Sequence, residues 1–450
     1  MIKYIKGGFF FTLPMMIGSL TLVTVLACAM LVLFTGEHKS SNTIPLSRTP
    51  LTCVIGFSGG EAAGQLLSDE IRGFSRSSDI PVTVEAVAEK ELRNTIISYS
   101  ATNSLPDVFT YWGGTASLYD LASNNLILDM EEYLKSSEQV KLSQFPASAL
   151  ENYKIQDHYF GLPFLQSYAF WACNTDIFKK LNSNYPSTYR DLLDVSAKIK
   201  NAGITPLAIG SNNGSPASLL FSSFLMQLPG GAAEMEDLKN SYRFDTPNVE
   251  KVCGLLNEMR EKGLFFENTY LNGGWVTSLS QYSQEKAAMC LTYSKYANKI
   301  PGHITDKTKI IPIPRLPGST VNTTPFLTTD NGYGILISRN SFSAGKKVSI
   351  VKLVDFLLAE NMADKLSQVE ILSAQAKYSL PASRQPSILN QVLPQLKEYT
   401  ILQEYKDGFP DSKSGRTFQE ALDEFSAGKI TAEQFIYTVQ SSLEKARLRK

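Results

Sequence analysis

The sequence predicts an α/β protein of two lobes behind an apolar N-terminal segment, and three observations predict it. At 450 residues the chain is too long for one ordinary core, so two or three domains are expected. From Leu51 onward, short apolar strands alternate with amphipathic helices, which argues for right-handed βαβ units in an open sheet. Midway, Tyr159-Phe160-Gly161-Leu162-Pro163 leads into the aromatic and apolar run Phe164–Cys173, broken only by Gln166 and Ser167. Gly161 supplies backbone freedom and Pro163 fixes φ, so the chain changes direction before a strand buried on both faces. The chain is expected to cross between its lobes here, beside a ligand.

The N-terminus differs from the rest. Lys3 and Lys6 precede a stretch from Gly7 to Gly36 without a charged residue. A spanning helix needs about 20 such residues, and basic residues before it favour a cytoplasmic N-terminus. Within the run, Val25-Leu26-Ala27-Cys28 resembles a bacterial lipobox, in which Cys28 is lipidated after cleavage. Leu26 stands where a small residue is usual, and the apolar run continues through Phe34. Uncleaved anchor and lipoprotein signal both stay open for residues 1–36. In either case the fold is exported and tethered to the membrane, with the Ser-, Thr- and Pro-rich residues 37–50 as linker.

Composition excludes several classes. A formal charge of zero argues against nucleic acid or anionic lipid as the main partner. Apolar residues at 43% and charged residues at 19% fit neither disorder nor a polytopic membrane protein. Cys53, Cys173, Cys253 and Cys290 form no metal-binding spacing and lie in apolar contexts, so buried free thiols are expected, although pairing is not deducible. No metal or cofactor is implied.

In chain order, Leu51–Phe57 reads as a strand ending at Ser58-Gly59-Gly60, and Ala63, Leu66, Leu67, Ile71 and Phe74 follow at helical spacing. Pro81–Val87 is the second strand and Glu89–Tyr99 the next helix. The glycines at 56, 59, 60 and 64 lack the dinucleotide-binding spacing. Leu105–Trp112 is a third strand, ending in an aromatic pair and Gly113-Gly114. Ligands in open α/β sheets bind beyond the carboxyl ends of strands, which singles out Ser58 to Gly60 and Tyr111 to Gly114. After Asn174, Pro186 starts a turn and Thr188 can cap a helix beginning at Tyr189 and stopping at Ala202-Gly203. Ile204–Gly210 is a strand, and Ala217–Leu228 and Pro247–Lys262 are helices. Strands at Glu285–Tyr293 and Gly332–Ser338 and a helix at Lys347–Leu358 follow.

Several blocks resemble, in order, the family 1 extracellular solute-binding proteins, the sugar-binding receptors of ABC importers, the maltodextrin-binding type among them. They are Leu105-Pro106-Asp107-Val108 with its aromatic–Gly loop, Asn125–Met130, and Asn174–Lys180 followed by Tyr185-Pro186-Ser187-Thr188-Tyr189-Arg190-Asp191-Leu192. Further on come Glu285–Tyr293, where Glu285 replaces the family's usual Gly, and the Pro-rich Ile310–Gly318 as a return to the first lobe. Tyr378–Arg384 resembles a last crossing, and Arg416–Phe425 with Thr431–Ala446 a closing helix pair. The resemblance covers Leu51 to Ala446. It implies a two-lobe periplasmic-binding-protein-like fold with mixed open sheets and hinge crossings. Lobe I would hold 51–160 and 305–370, and lobe II 161–304 and 371–450.

It also implies a cleft in which aromatic rings stack on sugar faces while amides and carboxylates bind hydroxyls. Carried over position by position, the expected contacts are Ser58, Tyr111, Trp112, Gln166, Ser167, Tyr168, Trp275, Tyr293, Tyr296, Asp330, Asn331 and Arg384. Where many members carry a Trp after the Ile204 strand, this chain has Ser211-Asn212-Asn213-Gly214-Ser215, consistent with a smaller or more polar ligand.

The implied protein is a monomeric binding subunit with a carbohydrate ligand and membrane permease partners. A sensing role coupled to a membrane receptor stays open, as does a non-sugar polar solute. An enzyme is not expected: the three histidines His38, His158 and His303 build no nucleophile elbow or zinc motif.

Overall fold

The computed structural model describes residues 50–210, 215–265, 275–319, 327–330, 332–375, 388–395, 401–403 and 408–449. Cys28 and the apolar N-terminal run lie outside them. Among the described residues no helix is long and apolar enough to cross a membrane.

The strands, in chain order, begin with β1 (Leu51–Ile55), β2 (Val82–Ala86) and β3 (Val108–Trp112). They continue with β4 (Lys154–Ile155), β5 (His158–Tyr159), β6 (Leu162–Pro163), β7 (Leu165–Asn174) and β8 (Thr205–Ala208). Then come β9 (Ala287–Tyr293), β10 (Thr308–Ile311), β11 (Leu327–Asp330), β12 (Tyr333–Ile337), β13 (Leu372–Ser373) and β14 (Ile401–Gln403). One mixed sheet runs β2-β1-β3-β12-β6, with β1 parallel to β2 and β3, and β12 antiparallel to β3 and β6. A second runs β14-β11-β7-β9-β8, with β10 and β13 also paired to β7. The α/β class and the mixed open sheets are as expected.

Local sequence accounts for the elements. In the helix Ala62–Ser78, Ala63, Leu67, Ile71 and Phe74 fall on the buried stripe at the expected spacing. Thr188 caps the helix Tyr189–Asn201 by accepting from the Asp191 amide, and Asp191 returns the contact to the Thr188 amide. The Ser187 hydroxyl, followed by Thr188, holds the Asp191 carboxyl below the usual carboxylate range. Asn174, fully buried, ends β7 and caps the helix Thr175–Lys180 with bonds of 3.0 and 3.2 Å from the amides of Asp176 and Ile177.

Two hydrophobic cores divide the chain. The first joins Leu51–Leu165 to Tyr333–Ile371, and the second joins Tyr168–Leu316 to Leu372 and Ile388–Ala446. The changes of core fall between Leu165 and Tyr168, between Leu316 and Tyr333, and between Ile371 and Leu372. Two boundaries therefore need correction: 161–165 pack with the first core, and 305–316 with the second. The Pro-rich stretch at Ile310–Gly318 is no return to lobe I: β10 pairs antiparallel with β7, and Ile310, Ile311, Ile313 and Leu316 pack in the second core. The return comes at the β11–β12 junction. The last crossing comes at Ile371–Ser373, ahead of Tyr378–Arg384, which lies outside the described residues.

The four cysteines outside the N-terminal run are free and buried. Burial pushes the thiols of Cys53 and Cys253 up to about 12, and raises those of Cys173 and Cys290 well above the usual thiol range.

Candidate functional site

The floor of the cleft is the place where the three crossings lie side by side. Phe164 donates its amide to the Tyr333 carbonyl at 2.9 Å, and Ala374 donates to the Phe164 carbonyl at 3.0 Å. β13 pairs Leu372 with Gln166 and Ser373 with Leu165, while β11 pairs Thr329 with Tyr168 and Asp330 with Ser167. Gly332 makes this packing possible. A Cβ there would sit 1.8 Å from the Leu165 carbonyl oxygen, so no side chain fits. The Tyr153 hydroxyl bonds the carbonyls of Tyr111 and Gly332 at 3.1 and 2.9 Å, tying the end of β3 to the same floor.

Above the floor are two adjoining cavities, open to solvent, that share Phe57, Lys295 and Ile371. The first is walled on the lobe I side by Phe57, Trp112, Leu165 and Tyr333 and on the other by Gln166, Ser167 and Lys295. Its aromatic wall is one connected cluster, with Tyr333 5.3 Å from Phe57 and 5.4 Å from Trp112 between ring centres. The second cavity is ionic. It is lined by Glu61 and Glu89, which stand at the starts of the helices Ala62–Ser78 and Glu89–Ala101, and by Lys295, Tyr296, Asn298 and Lys299. These last four belong to the 3₁₀ turn Ser294–Lys299, beyond the carboxyl end of β9.

The expected contacts separate into groups. Trp112, Gln166 and Ser167 line the first cavity. Tyr168 lies next to them, 9% exposed, with its hydroxyl donating to the Gln166 side-chain carbonyl; burial pushes it up to about 12. Ser58 is half-buried at the end of β1, and its amide donates to Glu61 at 2.9 Å. Tyr111 is a correction. It is fully buried in the first core, edge-on to Phe109 and Trp112, and neither cavity reaches it. Burial also raises its phenol. A strand crowded on both faces leaves only its terminal residue, Trp112, at the cleft.

Tyr293 and Tyr296 also lack a free face. Tyr293 is 1% exposed in the second core, and the Lys295 ammonium lies 5.5 Å from its ring centre. Tyr296 lies beneath both Lys295 and Lys299, at 5.2 and 5.1 Å, and donates its hydroxyl to Glu89 at 2.9 Å. Its place is therefore at the mouth of the cleft, as part of an ionic cluster. Trp275 begins the helix Trp275–Ser283 and Asp330 ends β11, but the side chains of both lie outside the described residues, as do Asn331 and Arg384 altogether.

Sequence reasoning missed Phe57, Glu61, Glu89, Lys295, Lys299, Gly332 and Ile371 as cleft residues. One signal was available for the two lysines: their turn directly follows the carboxyl end of an apolar strand. His158, by contrast, lines neither cavity and is exposed on the β4–β5 hairpin with its ring 2.7 Å from Asp129. Among the described residues no three His, Cys, Asp or Glu side chains converge as metal ligands.

This two-lobe architecture recurs among solved structures. One from work on xylan utilization by the thermophilic bacterium Caldanaerobius polysaccharolyticus is 19% identical, with a TM-score of 0.77 over 87% of this chain and 99% of that one. A chitin oligosaccharide binding protein is 20% identical, with a TM-score of 0.76 over 88% of this chain and 100% of that one. Maltose-bound MalE3 of T. maritima is 13% identical, with a TM-score of 0.72 over 88% and 100%. At such identities the likeness establishes the fold. No curated protein matches the chain in sequence. Residues 58–363 match the family model described as bacterial extracellular solute-binding protein. The chain belongs to that family of binding proteins.

Proposed function

We propose that the protein binds a carbohydrate, a mono- or oligosaccharide, in the cleft between its lobes and delivers it to the permease of an ABC importer. The observation that carries this reading is the facing of unlike walls across the first cavity: Phe57, Trp112 and Tyr333 on one side, Gln166, Ser167 and Lys295 on the other. A pyranose has apolar faces and a polar rim, and such walls match both. The sugars named for related structures support the same class of ligand. The N-terminal run would tether the protein outside the membrane, as an uncleaved anchor or through lipidated Cys28. The binding role does not require catalysis.

The test is ligand-dependent thermal stabilisation of the chain from Ser40 onward against a broad carbohydrate panel. A ligand held by the native state alone at about 100 times its Kd adds about 2.7 kcal/mol. Trp112→Ala should weaken that ligand by about tenfold or more, equivalent to about 1.4 kcal/mol. Stabilisation by amino acids or peptides and by no sugar would overturn the carbohydrate assignment. Mass spectrometry of the membrane-extracted protein decides the tether, since a diacylglyceryl group on Cys28 excludes the spanning form.

A further inference from the structure

Two ion pairs cross the mouth of the cleft from one core's residues to the other's. Lys295 Nζ lies 2.7 Å from a Glu89 carboxylate oxygen, and Lys299 Nζ lies 2.8 Å from Glu61. The other Glu89 oxygen accepts from the Tyr296 hydroxyl at 2.9 Å. Glu61 and Glu89 stand at the N-terminal ends of two helices of 17 and 13 residues, where the helix dipole favours a carboxylate. The lysines stand on one short turn, each also over the Tyr296 ring. Glu89 and Lys295 are 34% and 14% exposed, Glu61 and Lys299 30% and 33%, so water screens these pairs only in part.

We propose that these pairs form an electrostatic latch that holds the two lobes closed independently of ligand and thereby sets how readily the cleft opens. The geometry singles out this role because both pairs join opposite walls of the second cavity, helix starts on one side and the turn after β9 on the other, so opening the cleft must separate them. Helix ends and lysines are already satisfied by each other, so the cluster needs no ligand charge to complete it. Each pair multiplies the closed-to-open ratio by about twofold to fivefold, and the two act together. A ligand then binds a population already biased toward the closed form, and high salt lowers its apparent affinity by depleting that population. The inference rests on reading the cleft as one that opens and closes, but not on which solute it holds.

The test measures the interlobe distance without ligand, by electron–electron resonance between spin labels on Arg72→Cys and Arg190→Cys. The full chain is used with Cys28→Ser, because the other native thiols are buried. Sodium chloride is raised from about 0.01 to about 1 M, which shortens the Debye length from about 30 to about 3 Å. The expected result is a closed distance that gives way to a longer one with salt. The double variant Glu61→Gln with Glu89→Gln should show the longer distance at both salts. A distance unmoved by salt or by the double neutralisation, whether long or short, overturns the latch. Because no sugar is present, failure of the carbohydrate panel and failure of the latch are separate results.

Discussion

Gly332→Ala tests the hinge most directly. The added Cβ would lie 1.8 Å from the Leu165 carbonyl oxygen, 2.6 Å from its carbon and 3.0 Å from the Gln166 Cα. These atoms are backbone, so no side-chain rotation relieves the contact. The crossings must separate by about 1.5 Å or more to reach ordinary carbon contact distances. Separation breaks the Phe164 amide bond to Tyr333 at 2.9 Å and loosens the pairing of Asp330 with Ser167. Overpacking costs about 1–3 kcal/mol, and two lost hydrogen bonds add about 1 kcal/mol each. The expected loss is therefore about 3–5 kcal/mol, read as a lower denaturation midpoint by tryptophan fluorescence and circular dichroism. Gly73→Ala is the control. Nothing lies within 4 Å of a Cβ at that helical site, and it should gain about 0.5–1 kcal/mol. A midpoint for Gly332→Ala equal to the parent's would refute the close approach of the crossings.

Two further perturbations report on the lobes themselves. Asn174→Ala removes the acceptor for the Asp176 and Ile177 amides and a donor to Glu285 at 3.3 Å, so urea unfolding should show a loss of about 1–2 kcal/mol. No change would mean that the cap contributes nothing. The buried thiols predict alkaline lability. Their folded-state values are raised above the unfolded value of 9.0, so the unfolded chain loses protons first as pH rises. Their contribution is fully present below pH 9.0 and falls between 9.0 and about 12, by about 1.4 kcal/mol per pH unit for each thiol. Replacing Cys53 and Cys253 by Ala should lessen that slope, and an unchanged slope in pH-dependent denaturation would contradict the assignment.

The first crossing was legible because Gly161, Pro163 and the run after them punctuate the chain locally. The second was misplaced because prolines at 312, 314 and 317 mark irregular backbone, and irregular backbone is not a change of core. β10 precedes them and pairs with β7, a long-range register that no local pattern encodes. In Val108-Phe109-Thr110-Tyr111-Trp112 both faces carry large apolar or aromatic side chains, so alternation could not tell Tyr111 from Trp112. The ionic mouth was less accessible still. Its partners are 206 and 238 residues apart, and each side chain alone reads as solvated surface charge. Glu285 shows the converse. It occupies a positive φ of 57°, a conformation that glycine adopts freely, which explains why the family's usual residue there is Gly. Here hydrogen bonds from Lys307 and Asn174 hold its carboxylate, and the Lys307 contact leads in lowering its pKa.

Floor and mouth of the cleft are held by different physics, and this separates what substitutions should do. The crossings share backbone hydrogen bonds across Phe164, Tyr333, Leu372 and Ala374, so one strand cannot bend without the others. Any opening must turn about that common floor, with little change in its own contacts. Among the contacts that opening must break are the side-chain pairs across the second cavity, between Glu61 and Lys299 and between Glu89 and Lys295. Changes at Gly332 act on the folded state as a whole, in salt and out of it. Changes at the mouth act on the ratio of two folded states and diminish as ionic strength rises and weakens the pairs. The salt dependence of a variant, more than the size of its effect, therefore assigns a residue to hinge or to latch.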